Sequence, residues 1–189
     1  MDIFHNVKGG IFMQSYKILY QNDTAENLDK NFSVYLKTKS IKYINGNKKG
    51  SIAIEYDPQR LNKLFTQENF YAKLKSYKVE QTIVTDQKFA FLIWNARLLN
   101  LNFLNCELSN GDDKDYISDE ENKIVKEFLE ELVSDQYVSI LNATFFDHHN
   151  RIILTKNGVI HFEKYNEKIK NIIDIINLGK KALNNERIF

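Results

Sequence analysis

The residue types best suited to chemistry gather most densely in Phe145-Phe146-Asp147-His148-His149-Asn150-Arg151. Histidine titrates near neutrality and ligates transition metals through either ring nitrogen, and a neighbouring carboxylate can orient it or share the metal. Asp147, His148, His149 and Arg151 are therefore the candidates for metal-dependent or acid–base catalysis. The competing role is a polar turn between two strands, and the spacing favours it. Two adjacent histidines and one aspartate fit no recognised ligand pattern. A turn also lacks the fixed outer shell that a tight metal site needs. No metal and no other cofactor is expected.

Strand register sharpens that reading. With Asn157-Gly158 as a two-residue turn, Leu154 faces His161 and Ile152 faces Glu163. With Asp147 to Asn150 closing the preceding turn, Phe146 faces Arg151. His161 then lies about four residues along the strand from the His148-His149 tip, on the order of 10 Å or more at about 3.3 Å per residue. Beside Leu154, Ala143 and Leu141 it is expected to be a packed histidine rather than a third ligand. Tyr165, Asn166 and Glu167, where the closing helix begins, are the groups able to join the loop. A helix N-terminus attracts anions, and Arg151 would assist in holding a small one.

The second source of candidates is charge. The formal net charge of +1 conceals two opposed blocks. Lys30, Lys37, Lys39, Lys42, Lys48 and Lys49 fall in a stretch from 30 to 49 that holds no acid. Residues 107 to 135 hold eleven acids against Lys114, Lys123 and Lys126. Local fields of this kind guide association even when total charge is near zero. In the basic block, Tyr35 and Tyr43 stand among Lys37, Lys39 and Lys42, so lysine could meet phosphate while tyrosine stacks on bases. A strand face shared by Tyr35 and Lys37 would present them together. A lysine-rich hairpin kept soluble and protected from edge pairing is the plainer account. In the acidic block, Ser118 and Glu121 form a capping box. Ile124, Val125, Phe128, Leu129 and Leu132 then line one helical face, leaving Glu120, Glu127 and Glu131 outward for a basic partner. Asn110 to Asp115 is calcium-like only in composition, since no frame places its acids and glycine at the required positions.

Several chemistries are excluded by missing signatures. The chain has no phosphate-binding Walker loop, no dinucleotide fingerprint after a strand, no nucleophile elbow and no paired-cysteine zinc site. Cys106 is the lone cysteine, so no internal disulfide can form, which fits a reducing compartment. The first residues lack the charged and apolar regions of a signal peptide. The longest apolar run, Phe89 to Trp94, is far short of a membrane span. A cytosolic location is expected.

The elements that would position these residues follow from hydrophobic period and turn chemistry. With 189 residues, one Pro and seven Gly, the chain has no linker-like stretch, and one domain over 1–189 is expected. Ile3 to Val7, Ile11 to Tyr20, Phe32 to Lys37, Ile41 to Ile44 and Ile52 to Tyr56 read as strands. Asp57-Pro58 starts a helix, with a break near Thr66. Val79 to Val84 and Phe89 to Trp94 read as paired strands, the second apolar on both faces and hence central. Leu99, Leu101 and Phe103 alternate, suggesting a further strand, though a helix over Ala96 to Leu104 also fits. After the acidic helix come strands at Tyr137 to Phe146, Arg151 to Thr155 and Val159 to Phe162. A helix from Asn166 closes the chain, with Ile169, Ile172, Ile173, Ile176 and Leu183 inward. The pattern predicts an α+β fold: mainly antiparallel sheet of meanders and hairpins with about three helices packed on it.

Functionally, the missing catalytic motifs and the two charge blocks point to a non-catalytic binding protein that engages a protein partner: an inhibitor, immunity factor or adaptor. The alternatives are an RNA- or DNA-binding module using the 30–49 hairpin, and an enzyme using the 147–151 loop.

Overall fold

A computed structural model describes residues 13–21, 28–67, 69–110, 113–118, 138–148 and 150–179. Its strands are β1 (Gln14–Gln21), β2 (Tyr43–Asn45), β3 (Ser51–Glu55), β4 (Val79–Gln81), β5 (Asn102–Asn110), β6 (Asp113–Ser118), β7 (Val138–Asp147), β8 (Asn150–Thr155) and β9 (Val159–Phe162). Its helices are α1 (Leu28–Thr38), α2 (Pro58–Gln67), α3 (Phe70–Ser76), α4 (Asp86–Asn95) and α5 (Lys168–Leu178), with a 3-10 turn at Ala96–Leu99. The strands form one sheet in the order β2-β3-β1-β9-β8-β7-β5-β6, and β4 pairs with the far half of β1 beyond β9. Each pairing is antiparallel. The α+β class is as the sequence indicates, with more helices than the three expected.

Alternation along the strands divides the core between the two faces of the sheet. In β1, Tyr16 and Ile18 point to one face and Leu19 to the other; in β3, Ala53 opposes Ile52 and Ile54. The first face is covered by α4 and α5, whose Phe89, Leu92, Ile172 and Ile176 are fully buried against Cys106, Phe145 and Ile160. The second is covered by α1, α2 and α3 through Phe32, Leu36, Leu61, Phe70 and Leu74. A fully buried side chain of this size contributes about 1.5–3 kcal/mol, so the helices are held chiefly by these faces.

Two segments that read as strands are helices. Phe32, Val34 and Leu36 fit a period of two, but Phe32, Tyr35 and Leu36 also fit helical spacing, and these are the residues turned inward. The α1 helix ends where Ser40 turns left-handed at φ 53°, with the Ile41 amide donating back to the Leu36 carbonyl at 2.9 Å. That bond and the burial of Ile41 make a Schellman-type stop. There is therefore no 30–49 hairpin. Phe89 to Trp94, apolar throughout, lies inside α4 rather than in a central strand. Thr85 caps α4 by accepting from the Lys88 amide at 3.4 Å. Asp86 in its first turn accepts the Ile140 amide at 2.7 Å and so fixes the helix to β7. An apolar run of this length does not by itself tell strand from buried helix. The strand expected over Val79 to Val84 shortens to β4. Of the alternating Leu99, Leu101 and Phe103, only Phe103 lies in β5, Leu99 being in the 3-10 turn; β5 continues to Asn110 and pairs with β6, which holds Asp113 and Asp115.

From β7 to α5 the expected order holds, apart from one register. Phe146 faces Arg151 as expected, but His161 faces Ile153, not Leu154. The connection is three residues, not two. The Gly158 amide donates to Thr155 at 2.9 Å and Gly158 sits at φ +69°, the left-handed position of a bulged hairpin loop. That extra residue shifts β9 by one. The expected strand at Ile3 to Val7, the acidic helix with Glu120, Glu127, Phe128 and Glu131, and Leu183 lie outside the described residues.

Candidate functional site

The hairpin between β7 and β8 turns at His148, which adopts φ 54°, and Asp147 pairs with Asn150 to close it. His149 lies outside the described residues. The Asp147 carboxylate is bound on both oxygens. Asn166 Nδ2 donates to Oδ2 at 2.8 Å, and the Lys168 ammonium forms an ion pair with Oδ1 while also donating to the Asn100 carbonyl at 2.8 Å. Asn150 ties the other side of the tip to the start of α5. Its Nδ2 donates to the Lys164 carbonyl at 2.6 Å, and its Oδ1 accepts the amides of Glu163 and Lys164 at 3.2 and 3.0 Å. The hairpin tip is thus docked on the entry to α5, as the sequence suggested for Asn166, with Lys168 added.

His148 is not held in that network: its Nε2 stands 3.8 Å from Asp147 Oδ1 and its side chain is 88% exposed. Arg151 is exposed as well. His161 is hydrogen-bonded through Nδ1 to Ser15 Oγ at 2.8 Å, across β1 rather than toward the tip. Its neighbours are therefore Ile153 and Ser15, not Leu154 and Leu141. Among the described residues no three His, Cys, Asp or Glu side chains converge on a point where a metal could sit. Chemically, the cluster can anchor a hairpin; Asp147 is committed to a cation and an amide.

The basic block is reorganised by α1. Tyr35 turns inward, stacked on Phe32 and Phe70 with ring centroids 6.5 and 6.1 Å apart, and tilted against Tyr77. Tyr43 is half-buried against the same cluster. Lys37 points outward, so Tyr35 and Lys37 do not share a face. Lys42 pairs with Glu55 at 3.2 Å. Arg60 reaches the same carboxylate at 3.4 Å and donates to the carbonyls of Lys39 and Ser40. These bonds gather Lys39, Lys42 and Arg60 at the C-terminal end of α1, where basic groups also suit the helix dipole.

The outer face of α1 carries Lys30, Asn31, Val34, Lys37 and Thr38, all exposed and spaced for one helical face. Val34 is 58% exposed at its centre. Asn31 and Val34 escape a strand reading, which turns Val34 inward with Phe32 and Leu36; the inward i, i+3, i+4 set is the signal that would have found them.

The lysines that follow are used differently. The amides of Asn47 and Lys48 donate at 2.8 and 3.2 Å to the carboxylate of Asp174, which projects from α5 and is only 2% exposed. Burial pushes the Asp174 carboxyl above its ordinary range, while the two amides pull it back. A Cβ at Gly46 would overlap Asp174 Oδ1, which is why the loop needs glycine there. The loop from 46 to 50 therefore wraps an internal anion.

No described helix is long and apolar enough to cross a membrane. No protein family, curated protein or solved structure matches this chain.

Proposed function

We propose that this is a non-catalytic cytosolic binding protein, of the inhibitor, immunity-factor or adaptor kind, that presents the outer face of α1 to an acidic surface of a partner protein. The observation that carries the reading is Val34, exposed between Lys30 and Lys37 on a helix face free of acids from 30 onward. An apolar side chain within a polar, charged rim follows the core-and-rim layout of an interface, and the lysines would steer the encounter. Lys39, Lys42 and Arg60 extend the positive rim past the end of the helix.

Nucleic acid is the less favoured partner, because base stacking needs an open ring and Tyr35 is spent on the aromatic cluster of the core. Catalysis at 147–151 is disfavoured by the commitment of Asp147 to Lys168 and Asn166. The buried thiol of Cys106 is compatible with a reducing compartment.

The test is charge reversal. Lys30→Glu with Lys37→Glu should weaken capture of the partner by ~10-fold or more, since each close like-charge contact opposes association. The unfolding midpoint should fall only slightly, since an acid in the last turn of α1 opposes the helix dipole by about 0.3–1 kcal/mol. A control pair, Arg151→Glu with Lys164→Glu, should leave binding intact. Equal binding by the α1 variant and the wild type would refute the proposal. A low-salt mobility shift lost in the same variant would turn it toward nucleic acid.

A further inference from the structure

Nucleic acid is disfavoured at α1 for want of an open ring, but α3 has one. Phe70 and Leu74, four residues apart, are the buried residues that hold α3 to the second layer. At about 3.6 residues per turn, that anchoring sends Tyr71 and Lys75 to one flank of the helix and Lys73 to the other. Past the helix, Lys78 turns left-handed at φ 54°, with its amide on the Lys75 carbonyl at 3.0 Å. Lys78 thereby joins Tyr71 and Lys75 on the border of one surface hollow, which Lys73 does not reach. The Tyr71 side chain is 63% exposed, and both lysines are exposed as well.

The same border continues on the sheet side with Ile83 and Asn157, both exposed. Beneath it Lys17 gives its ammonium to the Thr82 and Asn157 carbonyls, and no carboxylate among the described residues pairs with it. Among the described residues of the border, Glu80 is the one acid against Lys75 and Lys78, so the field there is positive. Surplus cations select an anion. The concave border does not suit a bilayer surface, which is flat on this scale. A duplex keeps its bases stacked on one another and out of reach of a side-chain ring. A single strand offers both what lysine meets, a phosphate, and what an open ring meets, an unstacked base. On α1 the exposed apolar residue is the aliphatic Val34, which has no such face.

We propose that this flank of α3 binds single-stranded nucleic acid, with a base stacked on Tyr71 and neighbouring phosphates met by Lys75 and Lys78. The contact is independent of the α1 surface and of the protein partner proposed for it.

Fluorescence anisotropy of the whole chain with an oligothymidine of about 12 nucleotides, within the usual range of single-strand sites, tests this. Binding should saturate, and should weaken about 7-fold between about 50 and 200 mM salt, given two phosphate contacts at a single-strand slope of about −0.7 each. A duplex of the same length should bind less tightly. Tyr71→Ala should lose ~5-fold or more in affinity, the lower end of a base–ring stack, while Tyr71→Phe retains it. Lys75→Gln with Lys78→Gln should flatten the salt dependence, and Arg151→Gln with Lys164→Gln should not. In the wild type, ultraviolet crosslinking from 5-iodouracil in the oligonucleotide should map to Tyr71, a readout that needs no variant to fold. Absence of saturable binding at the lower salt overturns the proposal, as do equal affinity for the duplex, undiminished binding by Tyr71→Ala, or crosslinks confined to other segments. Poly-glutamate competing as well as the oligonucleotide would reduce the site to bare charge and overturn it in favour of an acidic protein.

Discussion

Asp174 shows how much one residue can organise. Its carboxylate sits on a helix otherwise lined by isoleucines, and it holds a loop that arrives from 126 residues earlier in the chain through the Lys48 amide. Because burial raises its folded value above the ordinary 3.8, the native state holds the proton more tightly than the unfolded chain. Its contribution to stability is therefore full below that ordinary value and is lost as pH rises through the raised one. Relative to Asp174→Asn, the wild type should lose stability as pH climbs from the ordinary 3.8 through the raised value. Urea unfolding of both proteins across this range measures it, and a pH-independent difference would contradict the assignment. Gly46→Ala should cost ~1–3 kcal/mol by forcing a methyl against the same carboxylate; a neutral effect would show that the loop can give way. At the hairpin, Lys168→Met removes the cation from Asp147 and should cost about 1–2 kcal/mol. Thermal unfolding checks this, and loss of less than half a kcal/mol would mean that Asn166 suffices.

At the scale of elements, legibility depended on whether a segment's pattern admitted one period. From β7 to α5, clear alternation, Asn157-Gly158 and the isoleucine spacing each fit a single element, and the expected order stands. Only the bulge at Gly158 moved a register, because turn length within an Asn-Gly loop is set by backbone bonds that the residue types do not specify. Residues 32 to 37 admitted two periods. Burial against Phe70 and Leu74, a tertiary fact, chose the helix. Residues 89 to 94 admitted strand or helix, and packing against β7 decided. These choices also governed the site. A strand at 32–37 pairs Tyr35 with Lys37; a helix separates them and exposes Val34 instead. Lys17 stayed hidden for the same reason, since a lysine in an alternating strand reads as solvent-facing until α2 and α3 are placed above it. The short α3 helix can be probed directly. Phe70 is fully buried between Tyr35 and the sheet. Phe70→Ala should cost ~3–5 kcal/mol, the range for a buried phenylalanine. A loss below about 1 kcal/mol in chemical unfolding would show that α3 is not part of the cooperative core.

For the whole molecule, the sheet separates two regions by position. The 147–151 hairpin is fastened to α5, and the basic face of α1 looks outward from the second layer. Of these, α1 carries the proposed partner surface, and its chemistry is testable in place. A photo-reactive amino acid at position 34, in the native host, should form an adduct with a protein. The same residue at position 151 should form none. A nucleic-acid adduct from position 34, or protein adducts from position 151 alone, would contradict the account.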